Sequence, residues 1–243
     1  MHIYRVDHHG AAQASSVVIV IDVIRAFTVA SYAFAGGAQN LWLVRSVEEA
    51  QALRVHRPDA LLAGEVGGRL IEGFDFNNSP SRLAASDVHG RLLIQRTGAG
   101  TQGAVKAVNA SHILLCALTN ARATATYART LAESTEGLVT LFPTASFAKS
   151  ACQNEDDICA DYLEALLLRP EKASDVLVKG IAHLHAIDRF GWFKSDDSDA
   201  PFADVAAILA TDHFHFVMVG THKQWNNINY VEVRKMDVSS ADL

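Results

Sequence analysis

Val17-Val18-Ile19-Val20-Ile21-Asp22-Val23-Ile24-Arg25 is the stretch on which the fold turns. Its first five residues are all β-branched. A short unbroken apolar run of this kind suits a central strand covered on both faces of its sheet. The run stops at Asp22, and Arg25 follows three residues later. In open α/β sheets, ligands bind at the carboxyl ends of strands. Asp22 is therefore a candidate metal ligand or nucleophile, with a helix N-cap aspartate as the alternative reading.

Working outward, the same pattern recurs. Residues 26–35 are alanine-rich, carry aromatics and predict a helix stopped by Gly36-Gly37. Residues 41–44 read as a strand, and Ser46 with Glu49 forms a capping box for a helix to about residue 56. Further strands are expected at 61–63, 92–95, 113–116 and 138–142, the last ended by Pro143. Helices are expected from Pro80 after an N-cap Ser79, through 108, from Asn120 to about 132, and from Gln153 or Asn154 to about 168. Strands and helices alternating at this spacing predict βαβ units and an α/β fold with a largely parallel sheet. The tail is less regular. Helices are expected at 174–187 and 203–210, around a polar break Asp196-Asp197-Ser198-Asp199. Residues 216–219 and 230–233 read as strands forming an antiparallel edge pair, since no crossover helix fits between them. No domain boundary stands out, so one domain over 1–243 is expected, or one with a smaller C-terminal subdomain from about 174.

Bulk composition narrows the class. The 243 residues are 49% hydrophobic and 20% charged, enough for an ordinary core. The net charge of −6, from 21 basic and 27 acidic residues, argues against a nucleic-acid partner, which would usually meet a basic face. Cys116, Cys152 and Cys159 make no CxxC pair, which points to a reducing compartment and hence the cytoplasm. They read as buried small apolar residues. The opening Met1-His2-Ile3-Tyr4-Arg5-Val6-Asp7 has no signal-peptide pattern. The apolar run 17–21 is far short of the roughly 20 residues a bilayer needs, so no membrane partner is expected.

Two more stretches put polar groups after an apolar strand. The first runs from Gly64 to Pro80 and carries Glu65, Arg69, Asp75 and Asn78 among four glycines. Carboxylates at the end of a buried strand are costly unless something cationic satisfies them; a solvated surface loop is the alternative. The second is Arg96-Thr97-Gly98-Ala99-Gly100-Thr101-Gln102-Gly103. It matches GxGxxG between a strand and a helix, as a dinucleotide site requires. No Asp or Glu follows until Glu133, however, so only an NADP reading remains. Arg96, Thr97, Thr101 and the backbone N–H groups at Gly98 and Gly100 better suit a phosphate monoester. A structural glycine turn is the alternative. Glu155-Asp156-Asp157 opens a helix, where acidic residues also favour the dipole. The 11 histidines include none at zincin spacing.

Taken together, Val20-Ile21-Asp22-Val23-Ile24-Arg25-Ala26, Gly64-Glu65 through Gly73-Phe74-Asp75 with Asn78-Ser79-Pro80, and Arg96 to Thr101 resemble the 2-phosphosulfolactate phosphatase family. Asn154-Glu155-Asp156 with Cys159-Ala160 adds a fourth block, and the resemblance covers residues 17–168 in the family's order. It implies a three-layer α/β/α fold with a mixed, mostly parallel sheet. It also implies Mg²⁺ dependence and removal of phosphate from 2-phospho-3-sulfolactate on a route to coenzyme M. On that basis Asp22, Glu65 and one of Glu155 or Asp156 are expected to hold Mg²⁺. Arg25, Arg96, Thr97 and the turn from Gly98 to Thr101 are expected to bind the phosphoryl oxygens of a small-molecule phosphoester. A water is the preferred nucleophile, with an aspartyl-phosphate on Asp22 as the alternative. Asp75 and Asn78 would shape the site. The family usually has arginine after its glycine-glutamate pair. Here Val66 stands there, and Arg69 comes three later. An NADP-binding oxidoreductase and a non-catalytic anion-binding protein are the other readings. The oligomeric state, a homo-oligomer included, is left open.

Overall fold

In a computed structural model that describes residues 1–134, 137–145, 153–195 and 197–238, the central run forms strand β2 (Ser16–Ile21). Side chains of a strand alternate between faces. Val18 and Val20 accordingly enter one hydrophobic cluster, and Val17, Ile19 and Ile21 enter another. Both faces are covered, as the unbroken apolar run requires.

The other strands are β1 (His2–Arg5), β3 (Asn40–Leu43), β4 (Leu61–Val66), β5 (Arg69–Leu70), β6 (Leu92–Arg96), β7 (Ala110–Cys116), β8 (Leu138–Pro143), β9 (Phe216–Trp225) and β10 (Ile228–Asp237). They form one mixed sheet in the order β1-β8-β2-β7-β9-β10-β3-β6-β4-β5. The strands β1, β8, β2 and β7 make one parallel block, and β3, β6 and β4 make a second. The β9–β10 hairpin joins them by antiparallel pairing on both sides, to β7 and to β3. The expected edge pair is therefore at the centre of the sheet. Its residues Phe216, Met218, Val231 and Val233 are buried, which two-sided pairing explains. β1, unforeseen from the sequence, is short and mostly exposed.

Helices are α1 (Ala26–Ala35), α2 (Val47–His56), α3 (Pro80–Ala84), α4 (Gly100–Lys106), α5 (Ala121–Glu133), α6 (Glu155–Leu168), α7 (Pro170–Ala186) and α8 (Ala203–Ile208). One face of the sheet, from β2 through β9 and β10 to β3 and β6, packs on α1 and α4. The opposite face is covered by α5, α6 and α7 beside β2, β7 and β8, and by α2 beside β3, β4 and β6. The result is a three-layer α/β fold. Eight of the ten α1 residues are buried, which accounts for its nearly all-round apolar sequence. Its two buried hydroxyls are satisfied locally: Thr28 donates to the Val23 carbonyl and Ser31 to the Phe27 carbonyl.

The blocks run in opposite senses along the ladder. Residues at the carboxyl ends of β2 and β6 and the end of β4 nonetheless line one cavity. The sheet thus wraps around α1 and α4 and brings both carboxyl edges together. Gln95, buried in β6, reinforces this by donating to the Ala26 carbonyl at the start of α1.

Local signals behaved as their chemistry predicts in most places. The Ser46–Glu49 capping box is complete, and Asn154 caps α6 through the Asp156 and Asp157 N–H groups. Ser79 precedes the helical Pro80, but its hydroxyl donates to Asp204 and caps nothing. The stretch after Ala63, expected as a loop, instead continues β4 and turns back as β5. Gly67 and Gly68, with φ of 61° and 81°, supply the two left-handed residues that a tight hairpin needs. Cys116 and Cys159 are free and buried, whereas Cys152 and Asp196 lie outside the described residues. Among the described residues no helix is long and apolar enough to cross a membrane.

Candidate active site

Asp22 directly follows β2 and is 4% exposed. One carboxylate oxygen accepts from the Ala26 N–H, the first of α1, at 2.9 Å, although the N-cap position itself is Arg25. The Gly100 N–H faces the same carboxylate. An ideal Cβ on Gly100 would stand 2.5 Å from Asp22 Oδ2, so glycine is needed for this approach. Burial, and then the neighbouring Glu155 and Glu65 carboxylates, push the Asp22 carboxyl from 3.8 up to about 7.

Glu65 enters from β4. Its Oε1 accepts from the Gly98 N–H at 2.6 Å and its Oε2 from the Gly68 N–H at 2.7 Å. The glycine turn before α4 therefore aims its N–H groups at the two carboxylates. Thr97 and Thr101 lock that turn: the Thr97 N–H donates to the Thr101 hydroxyl, and the Thr101 N–H to the Thr97 hydroxyl. Gly64, with φ of 153°, allows β4 to lie against the Arg96 carbonyl, 1.9 Å from where a Cβ would be.

Arg25 is 3% exposed. Its Nη1 donates to Asp204 Oδ2 at 2.8 Å and to the Asp199 carbonyl at 2.7 Å. The guanidinium lies over Trp192 and Phe193, 5.2 and 5.8 Å from the ring centroids. Asp204 is fully buried, and its other oxygen accepts from both Ser79 and Ser81 hydroxyls and the Ser81 N–H.

A cavity of about 230 Å³ gathers these groups: Asp22, Ile24, Arg25, Glu65, Gly68, Asn78, Thr97, Gly98, Ala99 and Trp192. Sequence reasoning named six of the ten, Asp22, Arg25, Glu65, Asn78, Thr97 and Gly98, from three separate blocks, and its Gly98–Thr101 turn spans Ala99. It missed Ile24, Gly68 and Trp192, and with them the anchors Asp199 and Asp204. The only signals for these were an aromatic pair, Trp192-Phe193, and an aspartate opening α8. Nothing local announces a partner 179 residues away in Arg25.

Other expected site residues lie around the cavity rather than in it. Arg96 donates through Nη1 to the Glu65 carbonyl at 2.6 Å, and its buried Nε has no partner. Asp75 accepts from Arg54 and from the Leu62 N–H, so it ties α2 to β4. Arg69 is exposed on the hairpin and pairs with Asp197 and Asp199. Asp156 is buried with both oxygens engaged, by the Val23 N–H on one side and by the Ala145 N–H and Thr144 hydroxyl on the other. Burial, then Asp22 and Glu155, hold its carboxyl well above the usual range. Glu155 is gripped at both oxygens by Arg189.

A metal centre can be tested against this geometry. Among the described residues no three His, Cys, Asp or Glu side chains form a metal-binding group. Asp22 and Glu65, however, share the cavity wall, and the Glu65 charge adds to the burial and the Glu155 charge that raise the Asp22 carboxyl. Mg²⁺ commonly takes one or two carboxylates and fills its sphere with water and phosphate oxygens. This pair of hard oxygen donors fits that habit. Glu155 and Asp156 already have both oxygens engaged, and neither lines the cavity.

Comparison with known proteins follows the same blocks. A family model described as 2-phosphosulpholactate phosphatase matches residues 3–188. The chain belongs to the 2-phosphosulfolactate phosphatase family. It is 40% identical over 165 residues to a Bacillus subtilis protein named "Probable 2-phosphosulfolactate phosphatase", covering 68% of this chain and 69% of that one. A Deinococcus radiodurans protein of the same name is 42% identical over 56% of this chain and 57% of its own. A Thermus thermophilus namesake is 43% identical over 48% of each chain. Nine of the ten cavity residues lie within the family match; Trp192, like Asp199 and Asp204, lies beyond its end.

Proposed function

We propose that this protein is a Mg²⁺-dependent phosphatase of small acidic phosphoesters of the 2-phosphosulfolactate kind. The observation that carries this reading is the convergence of Asp22, Glu65, Arg25 and the Thr97–Gly98 turn on one cavity in a chain of this family. Asp22 and Glu65 would hold the ion. When bound, Mg²⁺ would neutralise charge on the transferring phosphoryl group.

The chain's own groups do the rest. Arg25, anchored through Nη1 and backed by two aromatic rings, is the cation that a phosphoryl oxygen would meet. Asn78 adds a polar side chain on the same wall. The Gly98 N–H and the locked Thr97–Thr101 turn hold Glu65 in place, and Arg96 fixes its backbone.

Phosphate release from 2-phosphosulfolactate and p-nitrophenyl phosphate, followed in EDTA and after Mg²⁺ is added back, tests the proposal. Turnover that needs Mg²⁺ is expected. Hydrolysis of neither compound at millimolar concentration would reject it.

A further inference from the structure

The Arg25 guanidinium is held by residues that lie beyond the family match. Asp204 Oδ2 accepts from Nη1 at 2.8 Å, and the Asp199 carbonyl accepts from the same nitrogen at 2.7 Å. These two bonds fix one corner of the group. Trp192 and Phe193, with ring centroids 5.2 and 5.8 Å from the guanidinium carbon, fix its plane. No described residue accepts from Nη2 or Nε. Arg25 is 3% exposed, and what is accessible of it opens on the cavity it lines. One edge of the fork is thus anchored and the other is left for a ligand.

Asp204 is itself fixed. It is fully buried, and its Oδ1 accepts from the Ser79 hydroxyl, the Ser81 hydroxyl and the Ser81 N–H at 2.8, 2.6 and 3.0 Å. Three donors on one oxygen leave the other to Arg25. A guanidinium bonds a phosphoryl group through two parallel N–H groups, so it depends on how its edge is aimed. Small misplacement of such a group costs both affinity and rate.

We propose that Asp204 and Trp192 are positioning residues for phosphoryl binding, acting through Arg25 by aiming its Nη2–Nε edge at the phosphoryl oxygens. This rests on the phosphatase reading above and leaves its substrate class unchanged.

Asp204→Asn separates aim from charge. The Ser81 N–H and the two hydroxyls retain the amide oxygen, so the amide nitrogen meets Nη1, donor against donor, and the anchor is lost at nearly constant volume. Loss of the negative charge alone would tighten an anion on Arg25, whereas loss of aim weakens it. The dissociation constant of inorganic phosphate is measured by calorimetry with Mg²⁺ on protein shown to be folded by circular dichroism, and kcat and KM are measured with 2-phosphosulfolactate. Asp204→Asn is expected to raise the phosphate constant at least about tenfold, and KM with it. Trp192 is 40% exposed, so its replacement strands no buried charge. Trp192→Ala is expected to weaken phosphate at least about threefold, and Trp192→Phe, which restores a ring face, to bind it more tightly than the alanine variant. In an Arg25→Lys background, which keeps the charge and lacks the fork, either substitution is expected to shift the constant less than about twofold. Phosphate held as tightly as by wild type, or more tightly, in folded Asp204→Asn or Trp192→Ala protein overturns the inference. So does the same weakening in the lysine background, or a phenylalanine variant no better than alanine. These results leave the phosphatase reading standing on wild-type turnover. Wild-type protein that binds phosphate and hydrolyses nothing rejects the phosphatase reading, and the variants still decide the inference. Wild-type protein that binds no phosphate at millimolar concentration rejects both.

Discussion

Asp22 carries two conflicting duties. It accepts the first N–H of α1 inside the protein, and among the described residues it faces Glu65 and Glu155 with no ion-pair partner. Raising a carboxyl from 3.8 to about 7 corresponds to roughly 4 kcal/mol against the charged form. The sign follows from linkage. As pH falls through about 7, the folded state takes up this proton before the unfolded chain does, so the Asp22 contribution to stability rises toward pH 4 and is lost again above 7. In EDTA, Asp22→Asn is expected to melt higher than wild type at pH 8 and to lose most of that advantage at pH 5. The same variant should lose Mg²⁺-dependent turnover by at least about a hundredfold while its circular dichroism stays native. A melting temperature at pH 8 equal to wild type would show that the charge is relieved by another route. Gly64 gives a second residue-scale expectation. A methyl group there meets the Arg96 carbonyl in a backbone region that L-residues rarely adopt. Gly64→Ala should destabilise by more than about 1 kcal/mol in urea unfolding, since strain exceeds any entropy gain.

At the scale of elements, the Arg25–Asp204 pair links the start of α1 to α8, and the serines extend the link to α3. Both partners are buried. Removing one partner of a buried pair typically costs about 3–5 kcal/mol, because the other charge is stranded. Asp204→Ala is expected to lower the urea midpoint accordingly. The double variant Arg25→Met with Asp204→Ala should recover part of the loss. If the double variant is as unstable as the sum of the singles, the two side chains do not act as a pair. Arg189 and Glu155 make a similar clamp between the end of the α7 region and α6, although Arg189 is a third exposed and solvent weakens its share.

For the whole molecule, the decisive feature is the β9–β10 hairpin. It joins two parallel blocks that otherwise share no strand pairing among the described residues. A chain ending at residue 215 lacks both strands. It would expose the edges of β7 and β3 and the cluster that includes Phe27, Phe34 and Val20. Such a truncation is expected to lose cooperative thermal unfolding and to bind a hydrophobic dye. Retention of a sharp native-like transition would show that the blocks hold together through α1 and α4 alone.

The α/β class, most elements and the capping at Ser46 and Asn154 were legible in the sequence, because each depends on neighbours within a few residues. Unbroken apolar runs give buried strands, and a side chain three positions from an N-cap completes its box. The candidates Asp22, Glu65 and Thr97–Gly98 were legible for a related reason: each sits just past, or at the end of, an apolar strand. Their meeting in one cavity was decided only by the tertiary structure, since it depends on how far the sheet wraps around α1 and α4. The same holds for the central place of β9 and β10. An alternating strand reads alike at an edge and at the centre until its partners are known. Trp192, Asp199 and Asp204 belong to the second group too. Their role comes from contacts with Arg25, Asn77 and Ser79, more than a hundred residues away, and chain-distant pairing of charge leaves no local pattern.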